Sequence, residues 1–233
     1  KTQRLYKEML QQITNLTPNC DPPNVMVDYE RASINAIRNR FPTTNLSGCF
    51  FHLCQSIYRA VLRFGLKTLY SEDSNFAQQI RSIPALALLP IPDVIPTFDE
   101  LKAQFPAEGE PVLKYFEENY IGVKSRLSRP RKSPKFDIPL WNVNYNTIQG
   151  EHRTNNVVEG WNNRFSSLLS CTHPNFWKFL KGLKKEQSFV DGEIIQAEAG
   201  ARQPRRKEQV RQETRILNIL NEPTTTNLEK LMA

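Results

Sequence analysis

Residues 24–41 read NVMVDYERASINAIRNRF, and this stretch decides the fold. Val25, Met26 and Val27 form a short apolar run of β-favouring residues, preceded by the turn cluster NCDPPN at 19–24. The run predicts a strand with Asp28 at its C-terminal end. The period then changes: Ala32, Ala36 and Ile37 recur at helical spacing, and their small size lets a helix lie close on a sheet. Working outward, Leu5, Tyr6, Met9, Leu10 and Ile13 mark a helix before the strand. After the break at FPTTN, LSGCFFHL at 46–53 reads as a second buried strand, and QSIYRAVLRFGLKTLY at 55–70 as a long helix with Ile57, Val61, Phe64 and Leu69 inward. Helix, strand, helix, strand, helix is an α/β alternation.

From 71 to 150 the character changes to proline-punctuated helical pieces with no clear strand, which reads as an all-helical insertion carrying a basic loop. The organisation expected is a partial α/β core at 1–70, the insertion at 71–150, C-terminal core helices at 151–200, and a basic helix and tail at 201–233 that frays past Pro223. The whole is helix-dominated, without an internal repeat. The chain begins at Lys1 inside a helical pattern and without a methionine, so it reads as a fragment of something longer.

The segment RTNNVVEGWNNRF at 153–165 carries the second informative acid. At about 100° per residue, Asn155, Asn156, Asn162 and Asn163 fall within about 60° of Glu159, while Val158, Trp161, Phe165, Leu168 and Leu169 gather opposite. Asparagine is a poor helix former, so an ordinary solvated face does not account for it. A carboxylate ringed by short amides suits a metal ion or a phosphate backbone. In the next helix, HPNFWKFLKGLKKEQSFV at 173–190, Phe176, Phe179, Leu180 and Leu183 are expected inside and Lys178, Lys181, Lys184 and Lys185 outside.

Charge narrows the partners. The net charge is +7 and the excess is clustered: Lys124, Arg126, Arg129, Arg131, Lys132 and Lys135 occur with no acid among them, and Arg202, Arg205, Arg206, Lys207 and Arg211 form a second run. Such clusters attract polyanions, although either run alone reads equally well as a solvated linker or a localisation tag. Four cysteines have no framework spacing, and neither a signal peptide nor a bilayer-spanning apolar run is present, so no membrane association is expected.

Two acids, one at a strand end and one on a distant helix, suit a divalent metal site for phosphoryl displacement on an RNase H-like sheet. The ordered motifs NVMVDYERASINAIRNRFP, LSGCFFHLCQSIYR, RTNNVVEGWNNRF and HPNFWKFLKGLKKEQ resemble the transposase core of Mutator-like elements over roughly residues 1–200. The resemblance implies an RNase H-like fold, here with an incomplete sheet, and a DDE triad in which Asp28 is the second Asp and Glu159 the Glu. Both would ligate Mg2+ or Mn2+. It identifies Cys49 and His52 as the family's Cys-x-x-His pair. The family's first Asp lies upstream of Lys1, so cleavage by this chain alone is not expected. It further implies DNA ends as partner, a homo-oligomer within a transposition complex, and the nucleus. The alternative is a domesticated relative that binds DNA or a protein without cutting.

The remaining candidates are weighed individually. Cys49 and His52 could be half of a zinc site with Cys54, Cys171 or His173, but no second pair of matching spacing exists, so zinc is not expected. A buried Cys49 in the strand and an orienting His52 at the strand-to-helix junction is the preferred reading. Glu30 is assigned to the first turn of its helix, favoured there by the dipole. Trp161 is assigned to the core and Trp141, in a polar loop, to base stacking. Arg153 is placed at the start of the Glu159 helix, where a phosphate could meet it.

Overall fold

The computed structural model describes residues 2–124, 130–201 and 206–233, which form two compact units, one of residues 1–154 with 215–233 and one of 155–214. The first unit opens with α1 (Gln3–Leu16), β1 (Asn24–Val27), α2 (Arg31–Arg40), β2 (Asn45–Gly48) and α3 (Phe50–Arg63). The two strands pair in parallel, with Val25 opposite Leu46 and Val27 opposite Gly48. Among the described residues these are the strands; the remainder of the fold is helical.

The α/β order at the start of the chain matches the period change read from the sequence. Ile34 and Ala36 of α2 are buried, and Leu10 of α1 packs with Ala36 and Phe41 in a small core of its own. The second strand is shorter than expected and corrects the reading of 46–53. It stops at Gly48; Cys49 is the extended residue before α3, and Phe50 to Leu53 are helical. An apolar quartet fits strand and helix alike. What decides for helix is the run Leu53, Ile57, Ala60 and Val61, all buried on one α3 face, and the capture of the Phe50 N–H by the Arg153 carbonyl at 2.9 Å. The helix also ends early. Gly65 adopts φ of 73°, Phe64 points outward beneath the Arg63 guanidinium, and the chain resumes in α4 (Lys67–Glu72).

The helices α5 (Ser74–Ala85), α6 (Ile91–Gln104), α7 (Glu110–Phe116), α8 (Ile138–Trp141) and α9 (Asn144–Ile148) continue this unit. Of these, α5, α6, α7 and α8 share one hydrophobic core with β1, α2 and α3, centred on Phe98, Phe116, Tyr120 and Trp141. Tyr120 stacks between Phe116 and Phe136 at 5.1 and 5.5 Å. A π-helical turn, Glu117–Ile121, carries Tyr120 into this cluster and ends at Gly122. Gly122 has φ of 92°, and a side chain there would run into the Lys132 carbonyl. The Lys132 N–H in turn donates to Val123 O at 3.0 Å, closing the root of the basic loop.

Arg131 lies at that root. Its side chain, 14% exposed, meets Glu117 at 3.1 Å, Asp99, and the Gly122 carbonyl at 2.9 Å. Lys102 holds the other Glu117 oxygen. Glu117→Gln keeps the shape but removes the charge, so about 2 kcal/mol of stability is expected to be lost, in line with a hydrogen bond to a charged group. Urea unfolding of the variant checks this; an unchanged midpoint would show that the pair contributes nothing net.

The first unit also takes the chain from Arg215 onward, including the end of α12 (Lys207–Asn221) and all of α13 (Asn227–Met232). The tail past Pro223 is ordered rather than frayed. Thr226 and Glu229 form a reciprocal capping box, and Leu231 is buried in the main core.

The second unit is built on α10 (Asn156–Leu169) and α11 (Phe176–Glu198). Phe165 and Leu169 of α10 face the buried Gly182 of α11, and Arg164 pairs with the buried Glu186 while its guanidinium covers Phe189. This contact fixes which side of α11 is inside and corrects the expected set in part: Phe179 packs edge-on against Phe165 at 5.9 Å and Leu180 is half-buried, whereas Phe176 and Leu183 are exposed. Asn175 caps α11 by accepting from the Lys178 N–H at 2.9 Å.

Candidate functional site

Parallel pairing aligns the C-terminal ends of β1 and β2, the edge at which open α/β sheets present their ligand-binding residues. Asp28 follows Val27 directly and Cys49 follows Gly48, and the Cys49 N–H donates to Val27 O at 2.9 Å. The two residues are therefore neighbours by register. His52, in the first turn of α3, places Nδ1 2.9 Å from Asp28 Oδ1, with the two side chains 23% and 58% exposed respectively. The sheet edge thus presents an accessible carboxylate beside an imidazole nitrogen.

The support behind this edge is apolar and tight. The Tyr29 ring lies against Gly48, where an added Cβ would sit 2.7 Å from the hydroxyl, and packs edge-on to Tyr120 at 5.8 Å and Phe136 at 5.1 Å. Only glycine at position 48 leaves room for that ring. Burial pushes the Tyr29 hydroxyl well above its ordinary pKa, so it stays neutral. Nothing in the sequence singled out Tyr29; the signal available was an aromatic immediately after the strand-end acid.

Cys49 is fully buried, at the end of the strand and not within it, and His52 stands at the strand-to-helix junction against Asp28. Burial pushes the neighbouring Cys54 thiol up to about 12, which keeps it protonated at neutral pH. Among the described residues no group of three or more His, Cys, Asp or Glu side chains is placed to hold a metal ion. Glu30 is not a dipole-stabilised first-turn residue: it stands before α2, and its carboxylate accepts from the Tyr6 hydroxyl at 2.7 Å.

In the second unit, Glu159 occupies the first turn of α10, where the helix dipole favours an acid, and is partly buried. Asn156 opens the helix and is exposed, and Asn155 stands at the cap position, so Asn155 is not part of the helical face expected for it. On the opposite face only Phe165 and Leu169 are buried. Val158, Trp161 and Leu168 are exposed, which corrects the core assignment of Trp161; its ring stacks on Phe165 at 5.2 Å instead.

The residues proposed to touch DNA separate into two groups. Lys124, Lys132 and Lys135 are exposed, Lys124 lying 3.9 Å from Asp99. Arg126 and Arg129 lie outside the described residues. Arg131 is committed to the buried Glu117 and to Asp99 and is not available to a phosphate. Trp141 is fully buried, with its indole N–H donating to Tyr120 O at 3.0 Å, so it cannot stack on a base. The polar residues that suggested a loop there are used internally: Asn142 and Asn144 donate to the Leu89 and Leu88 carbonyls at 2.8 and 2.6 Å. Arg153 precedes α10 rather than starting it, and its carbonyl accepts from Phe50.

Among the described residues no helix is long and apolar enough to cross a membrane. Compared with known proteins, residues 1–56 match the family model of the MULE transposase domain, a span that contains β1, Asp28, β2, Cys49 and His52. No curated protein matches the chain. No solved structure matches it either.

Proposed function

We propose that the chain is part of a MULE transposase, the family whose domain model matches residues 1–56, and that it supplies part of an RNase H-like DDE core that cuts phosphodiester bonds at transposon ends and joins those ends to target DNA. The observation that carries this reading is the accessible Asp28 carboxylate at the C-terminal end of β1, held 2.9 Å from His52 within the matched segment. Asp28 and Glu159 are hard oxygen donors, and in this reading they are ligands of Mg2+ or Mn2+. When bound, such a cation activates the attacking oxygen and stabilises the leaving one. His52 keeps the Asp28 carboxylate in one orientation, and the half-buried Tyr29 ring against Gly48 keeps the strand end from shifting. The exposed Lys124, Lys132 and Lys135 would meet the DNA backbone. Residence in the nucleus and assembly with further copies at the DNA ends belong to the same reading.

The test is cleavage and joining of a duplex bearing the element's ends by the full-length protein. Product at those ends that requires Mg2+ or Mn2+ is expected. Absence of product with either cation, or product that persists in EDTA, would remove the proposal.

A further inference from the structure

The structure moves the aromatic contact with nucleic acid away from Trp141, which is interior, and offers another residue in its place. Trp177, at the start of α11, is 70% exposed, and Phe176 beside it is 67% exposed, their rings edge-on at 5.3 Å. An indole left this open in water gains nothing from the fold that carries it. The surrounding side chains are cationic: Lys178, Lys181, Lys184 and Lys185 are all exposed, and no acid occurs between residues 176 and 185. Helical geometry sorts them. At about 100° per residue, Lys181 and Lys184 fall within about 40° of Trp177, and Lys178 and Lys185 lie together about 80 to 100° to one side of it. The buried Gly182 and Glu186 lie on the other side of the helix, turned toward α10. The contact within the unit therefore leaves the Trp177 face open.

We infer that the first turns of α11 bind a nucleic-acid strand with unpaired bases, one base stacking on Trp177 and the lysines meeting the phosphates on either side. Exposed aromatic and cationic groups interleaved at this spacing match the two parts of such a strand, a π-face and a charged backbone. A fully paired duplex offers the lysines the same phosphates but keeps its bases stacked, so Trp177 should discriminate between the two forms. The inference extends the proposed function to DNA whose ends are opened. It does not depend on cleavage, because none of these residues is a proposed metal ligand.

The experiment is binding of the whole chain to a short fluorescein-labelled single-stranded oligonucleotide, followed by anisotropy at several salt concentrations. Trp177→Ala is expected to weaken binding on the order of ten-fold, the loss of one stacked base, and Trp177→Phe to restore most of it. Lys181→Gln with Lys184→Gln should flatten the salt dependence by about 0.7 in logarithmic slope per lysine. The same sequence as a duplex should be bound with little sensitivity to Trp177→Ala. Far-UV circular dichroism checks that the variants remain folded, as an exposed position allows. Equal affinity of parent and Trp177→Ala for the single strand overturns the inference. So does binding to phosphatidylserine vesicles without binding to the oligonucleotide, which would make this a lipid-facing helix. If the full-length protein cleaves and Trp177→Ala changes nothing, this inference falls while the proposed function stands.

Discussion

Asparagine in place of Asp28 is expected to lower divalent-dependent end cleavage by the full-length protein on the order of 10^3-fold. A metal ligand supports several kcal/mol of transition-state stabilisation, and about 4 kcal/mol corresponds to three decades in rate. Glu159→Gln should fall by a comparable factor. His52→Ala should lose less, about 10- to 100-fold, because the imidazole acts on the carboxylate and not on the reacting atoms. The order of the three effects is the informative result. If His52→Ala were as damaging as Asp28→Asn while the protein stayed folded, His52 would have to touch the substrate itself. If Asp28→Asn cut at the parental rate, the carboxylate at the end of β1 would have no part in catalysis.

Trp141→Ala should destabilise the first unit by about 3 to 5 kcal/mol, the range for deleting a fully buried aromatic. The ring packs at 5.5 Å on Phe116 and its N–H satisfies the Tyr120 carbonyl, so alanine leaves both a cavity and an unmet acceptor. Urea unfolding reads the loss. Trp141→Phe fills most of the volume without supplying the N–H and should fall between the two. Oligonucleotide affinity of the folded Trp141→Phe protein is expected to equal that of the parent. A selective loss of DNA binding with unchanged stability would return Trp141 to the surface role that its sequence context suggests.

The contrast between Trp141 and Trp177 shows where sequence reading succeeds here and where it stops. Residues 24–41 were legible because strand and helix periods differ and meet at one acid; Asp28 needed only that local switch. Cys49 reads as strand because Phe50, Phe51 and Leu53 suit a strand as well as a helix, and the buried α3 face together with a distant carbonyl, that of Arg153, settles the helix. Burial is harder still. Asn142 and Asn144 look like loop residues until the Leu88 and Leu89 carbonyls are seen to need donors. Arg131 looks like one more member of a basic run until Glu117 and Asp99 are found around it. The aromatic stripe of α11 reads as core from its spacing, but α10 packs beside Gly182 and Glu186, where Phe179 reaches Phe165 and Phe176 stays exposed. In each case a partner far along the chain decides, and no local pattern announces it.

The clasp between Val123 and Lys132 separates two kinds of change that evolution or an experimenter could make. The Lys132 N–H, the Arg131 guanidinium and the φ of Gly122 fix the chain on either side of residues 125–129. Closing a longer excursion adds only about 0.6 kcal/mol for each doubling of its length. The segment 125–129 is therefore expected to accept an insertion that leaves the Arg131–Glu117 contact in place. The same tolerance makes it the natural place for an epitope or a fluorophore.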